Sequence, residues 1–182
     1  PMQLNDSAVV VGAGTIGLCL IQILTNVGCG KIIALDLDQG RSQLAQDLGA
    51  DLVLPADMPE LIETILQYTS GRGADVAFDA VGNRSSVHTA VASVRKGGSV
   101  ALIGNLVPGV DLPLQVIVSR QIRLQGSCAI AGEYPAVLEM IRRRSLDVDA
   151  LLSATAPLLE GAEWFKRLRN REQGLLKVLL QP

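Results

Sequence analysis

The sequence predicts an α/β fold, a doubly wound parallel sheet of about six strands with helices on both faces. Three observations carry that reading. Short apolar runs alternate with helical periodicities through the first 126 residues, as a series of strand–helix–strand units requires. The composition is 48% apolar but only 3% aromatic, which suits short Val, Ile and Leu strands buried on both faces. The first apolar run, Ala8-Val9-Val10-Val11, breaks at once into Gly12-Ala13-Gly14-Thr15-Ile16-Gly17, a glycine turn that feeds a helix.

Each element follows from local pattern. After the first strand, Thr15 to Val27 puts Ile16, Leu20, Ile23, Leu24 and Val27 on one helical face, and Gly28 stops the helix. A second strand, Lys31 to Leu35, ends in Asp36, and a helix from about Gln39 to Leu48 presents Leu44, Ala45 and Leu48 before Gly49. Strand Asp51 to Leu54 precedes a helix near Met58 to Tyr68, with Leu61, Ile62, Ile65 and Leu66 inward. The turn Ser70-Gly71-Arg72-Gly73 leads to strand Ala74 to Phe78, which stops at Asp79. Helix Ser85 to Val94, the turn Lys96-Gly97-Gly98 and strand Ser99 to Ile103 complete another unit, and Gln121 to Gln125 reads as the last strand of the sheet. Beyond Gly126 come a helix at Pro135 to Arg144, an extended segment at Ser153 to Leu158, a helix at Gly161 to Asn170 and a final strand at Leu175 to Gln181. With no linker or repeat in view, the whole chain, 1–182, is expected to be one domain, with a core over 7–128 and an extension over 129–182 packed on the same body. Arg142, Arg143 and Arg144 read as a solvated helix end.

Right-handed crossovers gather the strand ends Val11, Asp36, Asp79 and Ile103 along one edge, and that edge is the expected binding site. The glycines there have separate duties. Gly12 permits the turn off the strand, Gly14 lets backbone amides approach a pyrophosphate, and Gly17 lets the helix lie close to the sheet. The helix start points unpaired N–H groups and the positive dipole end at the phosphates. Asp36, nineteen positions after Gly17, stands where a carboxylate accepts both hydroxyls of an adenosine ribose. A 2′-phosphate beside Asp36 would set like charges together, so NAD is expected over NADP; Arg41 is the one feature pulling the other way.

Composition excludes several classes. A net charge of −2 leaves no electrostatic footprint for nucleic acid, and no apolar stretch is long enough to span a membrane. Cys19, Cys29 and Cys128 are scattered, odd in number and without metal spacing, so they are expected as buried reduced thiols in a cytoplasmic setting. His88 is the only histidine and falls within a helical pattern, so no metal site is expected in this chain.

Taken in order, Val9-Val10-Val11-Gly12-Ala13-Gly14-Thr15-Ile16-Gly17-Leu18, Ile33-Ala34-Leu35-Asp36, Leu48-Gly49-Ala50-Asp51, Gly73-Ala74-Asp75-Val76-Ala77-Phe78-Asp79-Ala80-Val81-Gly82 and Gly97-Gly98 resemble the cofactor-binding half of zinc-type medium-chain dehydrogenase/reductases. The tail, with Phe165, Leu168 and Gly174-Leu175-Leu176-Lys177-Val178, is similar to the alcohol and polyol dehydrogenase branch. The resemblance implies an NAD-binding Rossmann domain of an oxidoreductase. Backbone amides of Thr15 and Ile16 would face the pyrophosphate, Asp36 and Arg41 the adenosine ribose, and Leu37 the adenine. Ala80 and Val81 would lie near the adenosine and ribose, Ile103, Gly104 and Ser127 by the nicotinamide, and Lys177 near the phosphates. Family members carry a preceding catalytic domain, roughly as long again, that supplies zinc and much of the alcohol or polyol pocket. No catalytic residue is therefore expected here, and this chain, beginning just before its first strand, is expected to be inactive alone. Its edge strand would pair with a copy to make a homodimer. Two other readings stay open: a stand-alone nucleotide-sensing module, and the cofactor domain of a zinc-free quinone-type reductase.

Overall fold

The computed structural model describes residues 2–170 and 172–182. The chain forms two units, Pro1–Glu133 and Tyr134–Pro182. The first is built on strands β1 (Ser7–Val11), β2 (Lys31–Asp36), β3 (Leu52–Pro55), β4 (Ala74–Asp79), β5 (Val94–Leu102) and β6 (Arg123–Gly126), with helices α1 (Thr15–Asn26), α2 (Gln39–Asp47), α3 (Leu61–Tyr68), α4 (Arg84–Ser93) and α5 (Leu114–Ser119) between them. All six strands are parallel, in the order β3-β2-β1-β4-β5-β6, so the order reverses between β1 and β4. A crevice at the carboxyl ends of the strands follows from that reversal.

Alternation along the strands fixes the two faces. Val9, Val11, Ile33, Leu35, Ala77 and Val100 pack with Leu61 and Ile65 of α3 and Ala90 and Val91 of α4. The alternate residues Ala8, Val10, Ile32 and Ala34 are equally buried and turn to the opposite face, which α1 covers with Leu18 and Ile21. Two layers of helix thus bury an apolar sheet from both sides.

α1 reaches the sheet so closely because Gly17 has no side chain. A Cβ at Gly17 would overlap the carbonyl oxygen of Gly12, while Val10 lies just beyond. Gly12 takes φ +95°, a conformation a side chain would strain, and a Cβ there would lie 2.5 Å from a Val81 methyl.

The amino ends of the strands are tied by one carboxylate. Asp75 Oδ2 accepts from the Ser7 amide at 2.9 Å and the Ser7 hydroxyl at 2.8 Å, and Oδ1 accepts from Arg95 Nε at 2.6 Å, joining β1, β4 and β5. Partial burial pushes the Asp75 carboxyl up, but the Ser7 and Arg95 hydrogen bonds and the Arg95 charge outweigh it and hold the group at about 2.

Apart from the start of β5, at Val94 where the pattern gives Ser99, element boundaries move by no more than about three residues from the sequence pattern, and two differences have physical causes. Lys96-Gly97-Gly98 is a bulge inside β5 and not a turn before it: pairing passes from Ala74↔Val94 to Val76↔Ser99, and Gly97 takes φ +73° to absorb the extra residues. The sequence pattern predicts no element at α5, because Val116, Ile117 and Val118 are β-branched and read poorly as helix. The thiols are also more open than expected. Cys128 is exposed and Cys19 and Cys29 are half-buried; none is in a disulfide. Cys29 Sγ is 2.9 Å from the Asp6 carbonyl oxygen, and burial pushes its thiol up.

The second unit holds α6 (Tyr134–Arg142), β7 (Ala154–Pro157), α7 (Gly161–Arg169) and β8 (Val178–Gln181), with single 3-10 turns at Asp149–Leu151 and Leu158–Glu160. β7 and β8 form a separate parallel pair, Ala154↔Val178 to Pro157↔Gln181. Arg142 and Arg143 both bind Glu139, so the basic cluster is largely an internal helix-end network.

Replacing Gly17 by Ala is expected to destabilise the chain by about 3 kcal/mol or more through the clash with backbone. Gly14→Ala, with nothing within 4 Å of its Cβ, is expected to change stability by less than about 1 kcal/mol. Urea unfolding of the two variants checks the contrast. Because the Asp75 pKa is depressed to about 2, its contribution of about 1–2 kcal/mol is present above about pH 4 and is lost as pH falls toward 2. Asp75→Asn should flatten that part of the stability–pH curve.

Candidate functional site

Ladder hydrogen bonds continue past each strand end and lock the loops into one rim. Gly12 N donates to Leu35 O at 2.8 Å, Ala80 N to Val11 O at 2.9 Å, and Ser127 N to Leu102 O at 2.9 Å. Ile103 N and Gly104 N both donate to Asp79 O, at 3.0 and 2.9 Å. The rim therefore brings together Gly12, Gly14, Thr15, Ile16, Gly17, Asp36, Leu37, Ala80, Val81, Ile103, Gly104 and Ser127 at the carboxyl edge of one sheet.

The start of α1 is open. Gly14 is its N-cap in extended backbone (φ −73°, ψ −172°), with no side-chain cap. Leu18 N is the first amide to find an intrahelical acceptor, Gly14 O at 2.9 Å. The preceding amides of the first turn lack intrahelical acceptors, and the helix dipole adds positive potential at that point. A Cβ on Gly14 would meet nothing within 4 Å, so the space beside the cap residue is open. A phosphate fits that cradle on steric and electrostatic grounds.

Asp36 closes the other side. Its Oδ2 accepts from Ala13 N at 2.6 Å and its Oδ1 from Asp38 N at 2.9 Å, so the carboxylate bridges the end of β2 to the glycine turn. Each oxygen keeps a further lone pair for a hydroxyl donor. Asp38 in turn caps α2, accepting from Arg41 N at 2.9 Å. Arg41 thus sits in the first turn of α2, just past Asp36, with a half-exposed side chain. Leu37 is 70% exposed and Ile16 52%, two apolar side chains left bare on the rim.

Two residues of the rim have roles that the sequence pattern does not single out. Asp38 works as the N-cap of α2, and an Asp directly before the helical pattern is its signal. Asp79 is fully buried and accepts through its side chain from the amides of Val81, at 3.0 Å, and Gly82, at 3.1 Å. Lys177 lies in the second unit, exposed, one residue before β8. His88 Nε2 is 2.9 Å from the Asp111 carbonyl oxygen, on α4. Among the described residues, no group of three or more His, Cys, Asp or Glu could hold a metal ion, and no helix is long and apolar enough to cross a membrane.

Known proteins share this arrangement. The sequence model of a family described as zinc-binding dehydrogenase matches residues 15–143. A probable zinc-binding alcohol dehydrogenase of Mycobacterium tuberculosis is 33% identical over 184 residues, spanning 100% of this chain and 47% of the relative. Sorbitol dehydrogenase of Bacillus subtilis is 29% identical, over 100% of this chain and 52% of its own length. The crystal structure of 2R,3R-butanediol dehydrogenase from Bacillus subtilis superimposes with a TM-score of 0.90 at 28% identity, across 100% of this chain and 52% of that one. The chain spans about half the length of the curated relatives it matches. From the glycine turn, the strand order and these matches together, the chain belongs to the zinc-binding dehydrogenase family, as its dinucleotide-cofactor-binding half.

Proposed function

We propose that this chain is the NAD(H)-binding half of a zinc-dependent dehydrogenase acting on an alcohol, polyol or sugar. The observation that supports it most is Asp36, a carboxylate fastened by Ala13 N–H at 2.6 Å to the glycine turn that leads into the uncapped start of α1. In this reading the amides of Thr15 and Ile16 hold the pyrophosphate and Asp36 accepts the two adenosine ribose hydroxyls. Leu37 covers the adenine and Arg41 reaches the same ribose. Ala80 and Val81 line the adenosine side, and Ile103, Gly104 and Ser127 line the nicotinamide side. When bound, NAD supplies a ring that takes hydride from a carbinol carbon. The chain's own residues bind and orient it; none of them is assigned a proton-transfer role.

Asp36 also selects the cofactor. A 2′-phosphate would meet the carboxylate at contact distance and displace the ribose hydroxyl bonds, and each 1.4 kcal/mol of that penalty is about tenfold in affinity. Zinc does not fit this chain, because no cluster of ligating side chains exists among the described residues. The alcohol or polyol substrate is argued from the names of the relatives, sorbitol dehydrogenase and D-arabitol-phosphate dehydrogenase among them. That none of the three cysteines is in a disulfide supports a reducing, cytoplasmic setting. β6 ends the sheet order, and α5 beside it in sequence leaves Leu114 and Val118 each 67% exposed, which supports a homodimer through that edge.

Fluorescence titration should give NADH a dissociation constant at least about tenfold below that of NADPH. Asp36→Gly should narrow the gap to within about threefold and weaken both, since Ala13 N–H loses its acceptor. Equal constants in the unsubstituted chain contradict the reading. Light scattering of concentrated protein should read a dimer; a monomer removes the edge-pairing proposal.

A further inference from the structure

Asp79 is the one charged residue that is buried among the described residues. No Lys, Arg or His pairs with it within ion-pair distance among them. An isolated carboxylate inside a sheet is costly unless its oxygens are filled, and here they are filled by one short segment. Oδ1 accepts from Val81 N at 3.0 Å and from Gly82 N at 3.1 Å, and Oδ2 is 3.2 Å from Gly82 N. The backbone carbonyl of the same residue takes Ile103 N and Gly104 N. One residue therefore holds both its own turn and the end of β5.

That turn is wedged on two sides. On one, a Val81 methyl occupies the space a Cβ on Gly12 would need, 2.5 Å away. On the other, Gly82, at φ +79°, lies so close to Gly104 that a Cβ on either would overlap the other's backbone or its neighbour's. Ala80 N bonds Val11 O, so the segment runs across the point where the strand order reverses. Nothing soft separates these backbones, and a shift of the turn must move the end of β5. Since Asp36 takes the first nucleoside at the β2 side, the other half of a dinucleotide crosses the reversal and rests over β4 and β5.

We infer that Asp79 is a positioning residue for the nicotinamide half of the site: by holding Gly82 against Gly104, it sets the end of β5 on which that half rests. The inference rests on the dinucleotide reading above. Asp79→Asn keeps the size but puts an NH2 donor where Oδ2 now faces the Gly82 amide, so donor meets donor in a dry site.

The test compares a ligand confined to the first half with one that spans both: ADP and NADH dissociation constants for the full chain and for Asp79→Asn, by calorimetry. NADH should weaken about tenfold or more while ADP stays within about threefold, a split that general loss of stability would not produce. Unchanged NADH affinity, or a parallel fall of both ligands, overturns the inference. If Asp79→Asn fails to fold, Asp79→Ser, whose hydroxyl oxygen keeps one acceptor and removes the charge, is measured in its place; the same split supports the inference, and no change or a parallel loss overturns it. The unsubstituted chain reads the proposed function separately: if it takes up no NADH, that reading fails and this one with it, whereas normal NADH binding without the split removes the role of Asp79 alone.

Discussion

The site depends on backbone meeting backbone. Gly17 of α1 lies against the carbonyl of Gly12, and Gly82 lies against Gly104, at separations that exclude even a methyl group. Where main chains approach this closely, their positions are set by hydrogen-bond geometry and not by side-chain packing, so the rim is stiff. The first contact aims the start of α1 at the turn; the second joins the loops after β4 and β5. Between them the crevice has a fixed width before any ligand arrives, which lowers the ordering cost of binding.

Three carboxylates do different work in the same sheet. Asp75 pairs with Arg95 at the amino ends, partly open to solvent, and contributes to stability. Asp79 is sealed at the carboxyl end with amides alone as partners. Asp36, half-buried, shares itself between the glycine turn and the crevice. Position along the strand decides the role: near the start of β4 a carboxylate meets the basic residue of a neighbouring strand, and at the strand ends it meets unpaired N–H groups.

Much of the fold and the rim is legible in the sequence because each signal is local. The Gly12–Gly17 spacing, the apolar runs and the acid at position 36 give strand, turn, helix and strand within about forty residues, and no long-range contact overrides them. The family resemblance rests on those same motifs, and the match over residues 15–143 bears it out. What the sequence hides depends on partners distant along the chain. The bulge at Lys96-Gly97-Gly98 arises because β5 must pair with β4 on both sides of it, a demand invisible from a Gly-Gly dipeptide. α5 is a helix despite three β-branched residues in a row, a case of tertiary context overruling propensity. The tie from the Asp79 carbonyl to the Ile103 and Gly104 amides needs β5 in place beside β4 before it exists.

The most direct measurement is a crystal structure of the chain soaked with NADH. The adenosine ribose hydroxyls should lie within hydrogen-bond distance of the Asp36 carboxylate, with the pyrophosphate on the amides that open α1. A dinucleotide bound elsewhere, or lying in the crevice with Asp36 turned away from its ribose, would contradict the proposed role of that carboxylate and the cofactor site built around it.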